Sequence, residues 1–245
     1  EISVIYKNNL KNEIQNFEIL FKILQFTKND VQILEEIVLL SNNFVTYEEL
    51  VEKLNKVALV KENNYLIFKQ IAEIYKSNNN VDLSNIYYLK AFNSNPKENE
   101  LFELTVNTFR TAENYSVLKD IFIWRSNVEE ETEIKIELLT QSATILFDFL
   151  KDSNGAADIY EKIFELNKSK EIVGVLEEIY KNTEDFEKLI NIYKKAVEIC
   201  EIFDEKKVYY QKIITIFIEK TKQLVLAIPY IEEIISNEPQ IAENL

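Results

Sequence analysis

The side chains able to do chemistry in this chain are carboxylates and amines. Of 245 residues, 42 are Asp or Glu and 28 are Lys or Arg, with one Cys and no His. Without histidine there is no side chain that shuttles protons near neutral pH, and no Ser-His-Asp or Cys-His device. A single cysteine, Cys200, excludes an internal disulfide and a zinc site of Cys/His type. It follows Ala196, Val197 and Ile199, and the flanking Glu198 and Glu201 discourage a thiolate; it reads as a packing thiol. Gly155 and Gly174 stand alone, so no glycine-rich loop cradles a phosphate. Carboxylate pairs are frequent but share their segments with lysines, the pattern of solvated helix faces. The densest group, Glu129, Glu130, Glu131 and Glu133, either docks a basic segment or opens a helix, where carboxylates suit the positive end of the dipole. Trp124, the one Trp, is either inter-helix packing or an exposed contact. The expectation is a non-enzyme with no cofactor and no metal.

The elements that position these groups are helices. Apolar residues make up 47% of the chain, with Gly 2 and Pro 3. So little glycine and proline, under an apolar rhythm of about 3.6 residues, predicts an all-α protein. No Gly/Ser/Pro-rich linker interrupts it, which predicts one continuous domain over 1–245. Residues 1–26 read as a partial first hairpin with Phe17, Leu20, Phe21 and Leu24 on its inner stripe, and 239–245 as the start of a truncated next helix at Ile241-Ala242. With no Met, the chain reads as a segment of a longer array, or as a processed or renumbered product. No apolar run approaches the roughly 18 residues that span a bilayer, so no membrane insertion is expected. The expected compartment is the cytoplasm, or the periplasm after removal of a signal peptide. A net charge of −14 disfavours nucleic acid, whose phosphates need a basic footprint, and disfavours anionic membrane surfaces.

Those helices repeat. Small or apolar residues fall at Leu50, Ser84, Leu118, Ala156, Leu189 and Ala227, spaced 34, 34, 38, 33 and 38 residues apart. Four residues beyond the middle four stand Tyr88, Phe122, Tyr160 and Tyr193, with Leu54 and Ile231 in the same place at the two ends. Asn or Asp marks the turns: Asn42-Asn43, Asn78 to Asn80, Asn114, Asp152 with Asn154, and Asn182 with Asp185. Such side chains favour turns and helix N-caps. The longer spacings predict about one extra helical turn in a helix or connector, near Glu129 to Glu137 and again near Glu201 to Tyr209. Ala72, Tyr75, Tyr88, Ala91, Phe147, Tyr160, Tyr180, Tyr193 and Ala196 are the expected core.

The clearest unit, Phe68 to Pro96, reads as a helix, a polar turn, a second helix and a stop. It resembles the tetratricopeptide repeat, and the alternation of long and short units is similar to long bacterial arrays of that family. The resemblance implies a right-handed α-α solenoid of about six to seven helical hairpins, and a scaffold that binds proteins or peptides within a multiprotein assembly. The other classes are a structural, self-assembling component of a large machine and an RNA-associated helical-repeat protein. The resemblance also implies that first helices line a concave groove, with Lys69, Glu73, Asn107, Arg110, Asp148, Phe149 and Lys181 as partner-binding residues. Ile145 joins Phe149 there as an apolar point. Glu73 stands where a chaperone-tail clamp would place Asn, which argues against that ligand.

Overall fold

The computed structural model describes residues 13–27, 31–42 and 44–238. Among them every regular element is helical, and there are thirteen helices. A lone helix α1 (Glu13–Leu24) comes first. Six hairpins follow: α2 (Val31–Ser41) with α3 (Tyr47–Val60), α4 (Tyr65–Ser77) with α5 (Val81–Ser94), and α6 (Asn99–Thr111) with α7 (Tyr115–Val128). Then come α8 (Thr132–Thr144) with α9 (Ser153–Asn167), α10 (Lys170–Asn182) with α11 (Phe186–Ile199), and α12 (Phe203–Thr215) with α13 (Leu224–Asn237). The chain divides into two compact units, 1–128 and 129–245, each with its own apolar core. The expected opening of a helix at Ile241-Ala242 and the Asn43 part of the first turn lie outside the described residues, as does the start of the expected first hairpin.

The turn within the last five of the six hairpins is one device. One residue enters the left-handed region: Asn79 (φ 59°), Glu113 (52°), Lys151 (55°), Glu184 (56°) and Lys222 (58°). The next residue turns its N–H back to the first helix. Asn80, Asn114 and Asp185 donate to the carbonyls of Tyr75, Phe109 and Tyr180, five residues earlier, at 2.9 to 3.0 Å. That closes orphan carbonyls at the helix end. The same residue caps the second helix: Asn80, Asn114, Asp152 and Asp185 accept from the N–H groups of Leu83, Val117, Gly155 and Lys188. A Thr46/Glu49 capping box opens α3.

Packing within hairpins follows the small-residue ladder. Ala72 and Ala91 are fully buried, and the buried Ser84 hydroxyl donates to the Ala72 carbonyl at 2.9 Å. Small side chains let the two backbones approach that closely. In the second unit Ala156, Ala157 and Ala196 take the same role beside buried Tyr180 and Tyr193. Tyr75 and Tyr160 are half-buried rather than enclosed; Tyr75 lies against Tyr47 and Tyr87 with ring centroids 6.2 and 5.5 Å away. Ile231 is exposed instead of filling an aromatic rung, because no described helix covers that face of α13.

The extra turn expected from the 38-residue spacings is present, but at the ends of α8 and α12 and not at their starts near Glu129 to Glu137 and Glu201 to Tyr209, where the sequence had put it. Each continues into a five-residue π-helical turn, Ile145–Phe149 and Ile216–Lys220. Leu150 donates to Ile145 and Thr221 to Ile216, five residues back instead of the four of an α-helix. The hairpin turns stretch to match. Asp152 and Gln223 reach the carbonyls of Leu146 and Phe217, six residues earlier, at 2.8 Å. One added residue per turn moves the core position back by one. Leu146 and Phe217 are therefore 5% and 6% exposed, while Phe147 and Ile218 are 41% and 39% exposed. The placement of Phe147 in the core is thus corrected by the π turn. The same shift buries Ile145, which the sequence had offered to a partner.

Candidate functional site

Each unit holds a groove of the same construction. In the first, the end of α4, the start of α5 and the outer half of α6 enclose about 380 Å3. In the second, the corresponding parts of α10, α11 and α12 enclose about 550 Å3. Matching positions recur 105 residues apart on the first hairpin and 104 on the next helix. Lys76 answers to Lys181, and Tyr88 to Tyr193; Asn107 answers to Gln211, and Thr111 to Thr215. A cation, a phenol ring, a carboxamide and a hydroxyl therefore recur in one arrangement.

The phenols are anchored from behind. The Tyr88 hydroxyl donates to Glu73 at 2.5 Å. Burial pushes both Tyr88 and Tyr193 well above the ordinary tyrosine range, and the carboxylates of Glu73 and Glu177 add to it. Lys76 lies 6.0 Å from the Tyr88 ring centroid, and Lys212 lies 5.2 Å from that of Tyr193, within cation–π range. Glu177 accepts from Lys181 at 2.5 Å and from Lys212 at 2.7 Å. Burial works to raise its pKa, but the two ammonium groups outweigh burial and hold it below the usual carboxylate range.

The two grooves differ in what surrounds this shared frame. Ser84, Thr108 and Ala112 in the first are replaced by Leu189, Lys212 and Ile216 in the second. Lys220, on the π turn of α12, joins the second lining, as does Glu184.

Of the residues expected to bind a partner, Asn107 lies in the first groove and Lys181 in the second. Lys69 pairs with Glu100 at 2.6 Å and ties α4 to α6. Glu73 is occupied by the Tyr88 hydroxyl. Arg110 is exposed, and Asp148 and Phe149 are exposed on the π turn of α8; none of the three lines either groove. Sequence reasoning missed Val81, Phe186, Gln211, Thr111, Thr215 and Lys220, because second-helix starts and helix ends were not considered as lining. The 105-residue echo of lysine and tyrosine was the signal that could have found them.

The other chemical candidates resolve as structure. Cys200 is buried, and burial pushes its thiol up. Trp124 packs on Phe92, with centroids 6.5 Å apart, and stays 37% exposed. Glu131 and Glu133 open α8 at the solvent surface. Among the described residues no group of three or more His, Cys, Asp or Glu could hold a metal ion, and no helix is long and apolar enough to cross a membrane.

Hairpins spaced 33 to 38 residues apart, small residues at the helix contacts and one turn repeated five times are the marks of one repeat type. The fold is a tetratricopeptide-type helical repeat. No family model and no curated protein matches the chain. Solved structures resemble it loosely. Naa15/Naa10 bound to HypK-THB aligns at 12% identity and a TM-score of 0.43, over 97% of this chain and 36% of that one. Pilf of Pseudomonas aeruginosa aligns at 11% identity and 0.33, over 91% and 94%. YrrB, described as a TPR protein with an unusual peptide-binding site, aligns at 16% identity and 0.33, over 80% and 100%. The chain spans about a third of the length of the first of these.

Proposed function

We propose that the chain is a non-enzymatic scaffold that holds segments of other proteins in the grooves between successive hairpins. The observation that carries this reading is the recurrence of one groove, built from the same four side-chain chemistries, in both units. Packing alone does not require a cation, a carboxamide and a hydroxyl to return to one solvent-facing cleft. Concave sites with apolar walls and a few placed polar groups are the usual form of binding sites. The test is site-directed photocrosslinking in a lysate of the protein's own source. Crosslinkers at Asn107 and Gln211 should capture a common set of proteins, and one at Asp158, exposed on a second helix, should not. Equal capture from Asp158 would move the binding face to the second helices.

A second reading, a self-assembling structural component, is favoured by α13. Leu224, Val225, Leu226 and Ile228 are all exposed on it, an apolar patch of the kind that marks interaction surfaces. Sedimentation over a range of concentrations, with Val225→Glu as the control, separates the two readings.

A further inference from the structure

The two grooves share a frame but not a charge, and that difference selects an occupant for the second. Three ammonium groups, those of Lys181, Lys212 and Lys220, line it, where the first groove has Lys76 alone. Lys181 and Lys212 share a single carboxylate, Glu177. Lys220 makes no ion pair among the described residues, and Glu184 is the one acidic residue in the lining. Three cations thus face two carboxylates in a half-enclosed cleft, within a chain whose net charge is −14. Field lines concentrate in a cleft with low-dielectric walls, so the surplus is felt by whatever enters. Lys220 is delivered by the π turn of α12, an element the matching first-unit helix α6 lacks. The apolar side of the cleft is Phe186, Leu189 and Ile216.

Resting on the scaffold reading, we propose that this groove takes an acidic segment of a partner protein, in which carboxylates flank one aliphatic or aromatic side chain. The apolar residue seats against Phe186 and Ile216. The flanking carboxylates accept from Lys220 and from whichever of Lys181 and Lys212 is released from Glu177.

Fluorescence anisotropy on the full chain at physiological ionic strength tests this. The probes are short dye-labelled peptides with one phenylalanine flanked by glutamates, by glutamines or by lysines, and a single-stranded uridine oligonucleotide. The glutamate peptide should bind about tenfold tighter than the glutamine one, the worth of one charge-assisted hydrogen bond. Lysine-flanked peptide and RNA should not compete. Lys181→Glu with Lys220→Glu should abolish the preference, Lys220→Gln should reduce it, and Lys76→Glu in the first groove should leave it intact. Circular dichroism confirms that each variant is folded. The proposal is overturned by no binding of the glutamate peptide, by equal or tighter binding of the other peptides or the RNA, or by a preference that survives reversal of both lysines. Those outcomes leave the crosslinking comparison at Asn107 and Gln211 to judge the scaffold reading separately.

Discussion

In the first unit, α4 and α6 are each 13 residues long and run straight into their turns. In the second, α8 and α12 have the same 13 α-helical residues and then five more in a π turn, while α10 keeps the short form. The left-handed residue that follows is kept in all five cases, and the closing bond lengthens from five residues to six after the π turns. The comparison separates two properties that a repeat usually couples. The turn fixes how a hairpin closes, whereas the helix end before it is free to vary and to carry new side chains outward. Phe147, Asp148 and Phe149 on α8 and Lys220 on α12 are such additions, and one of them changes the charge of a groove.

The largest effect that would break this comparison is alkaline unfolding. Burial raises Tyr180 and Tyr193 in the second unit and Tyr88 in the first, with carboxylates adding to it. A group raised in the folded state stabilises fully below its unfolded pKa, about 10 for tyrosine, and loses that contribution as pH rises above it. Helicity should therefore collapse above about pH 10. Tyr180→Phe with Tyr193→Phe should move the collapse to higher pH than Tyr88→Phe does. An unchanged midpoint in the double variant would show that these phenols do not control it.

The next effect concerns the π turn itself. Removing Arg110 from α6 rotates everything before it by about 100° relative to the turn. That should cost about 3–5 kcal/mol, the worth of a lost aromatic core side chain. Removing Phe147 instead leaves Leu146 five residues before Asp152, the spacing the other hairpins already use. Its cost in chemical denaturation should be far smaller. Equal losses would mean that the π turn does not hold a spare residue.

Matched overpacking follows. Ala91 and Ala196 occupy equivalent, fully buried positions. Phe at either should cost about 1–3 kcal/mol, read by thermal or chemical unfolding, and a marked inequality would show that the two cores are not equivalent. The smallest effect is charge reversal at Arg110 together with Lys181. Both are exposed, so melting should stay where it is while partner binding at the second groove falls.

Much of this was legible in the residues. The spacings of 34 and 38 gave the hairpins and the existence of an extra turn, but not its place at the helix ends. Asn80, Asn114, Asp152 and Asp185 marked the caps, because short polar side chains are chosen there for a physical reason. The π turn was not legible, since Leu146 and Phe147 are both apolar and one residue of slip leaves no trace in residue type. The left-handed turn positions were hidden as well: Glu113, Lys151, Glu184 and Lys222 stand where glycine would have announced them. The grooves were only half visible. Each draws on two hairpins, and a reading along first-helix faces finds Lys76, Asn107, Lys181 and Lys212 but not the second-helix residues Val81 and Phe186.

The repeated turn also bears on how the chain folds in time. It is closed by bonds spanning five or six residues, and in four of the five cases it is capped by its own side chain, so closure of these hairpins is specified locally. Helix contacts join neighbours in sequence, with α1 to α3 and α2 to α4 among the farthest reaching. Chains dominated by local contacts fold fast, and in repeat arrays folding starts at any hairpin and spreads to those beside it. A ribosome extending this chain would release hairpins in the order in which they stack, so that each new one packs on those already made.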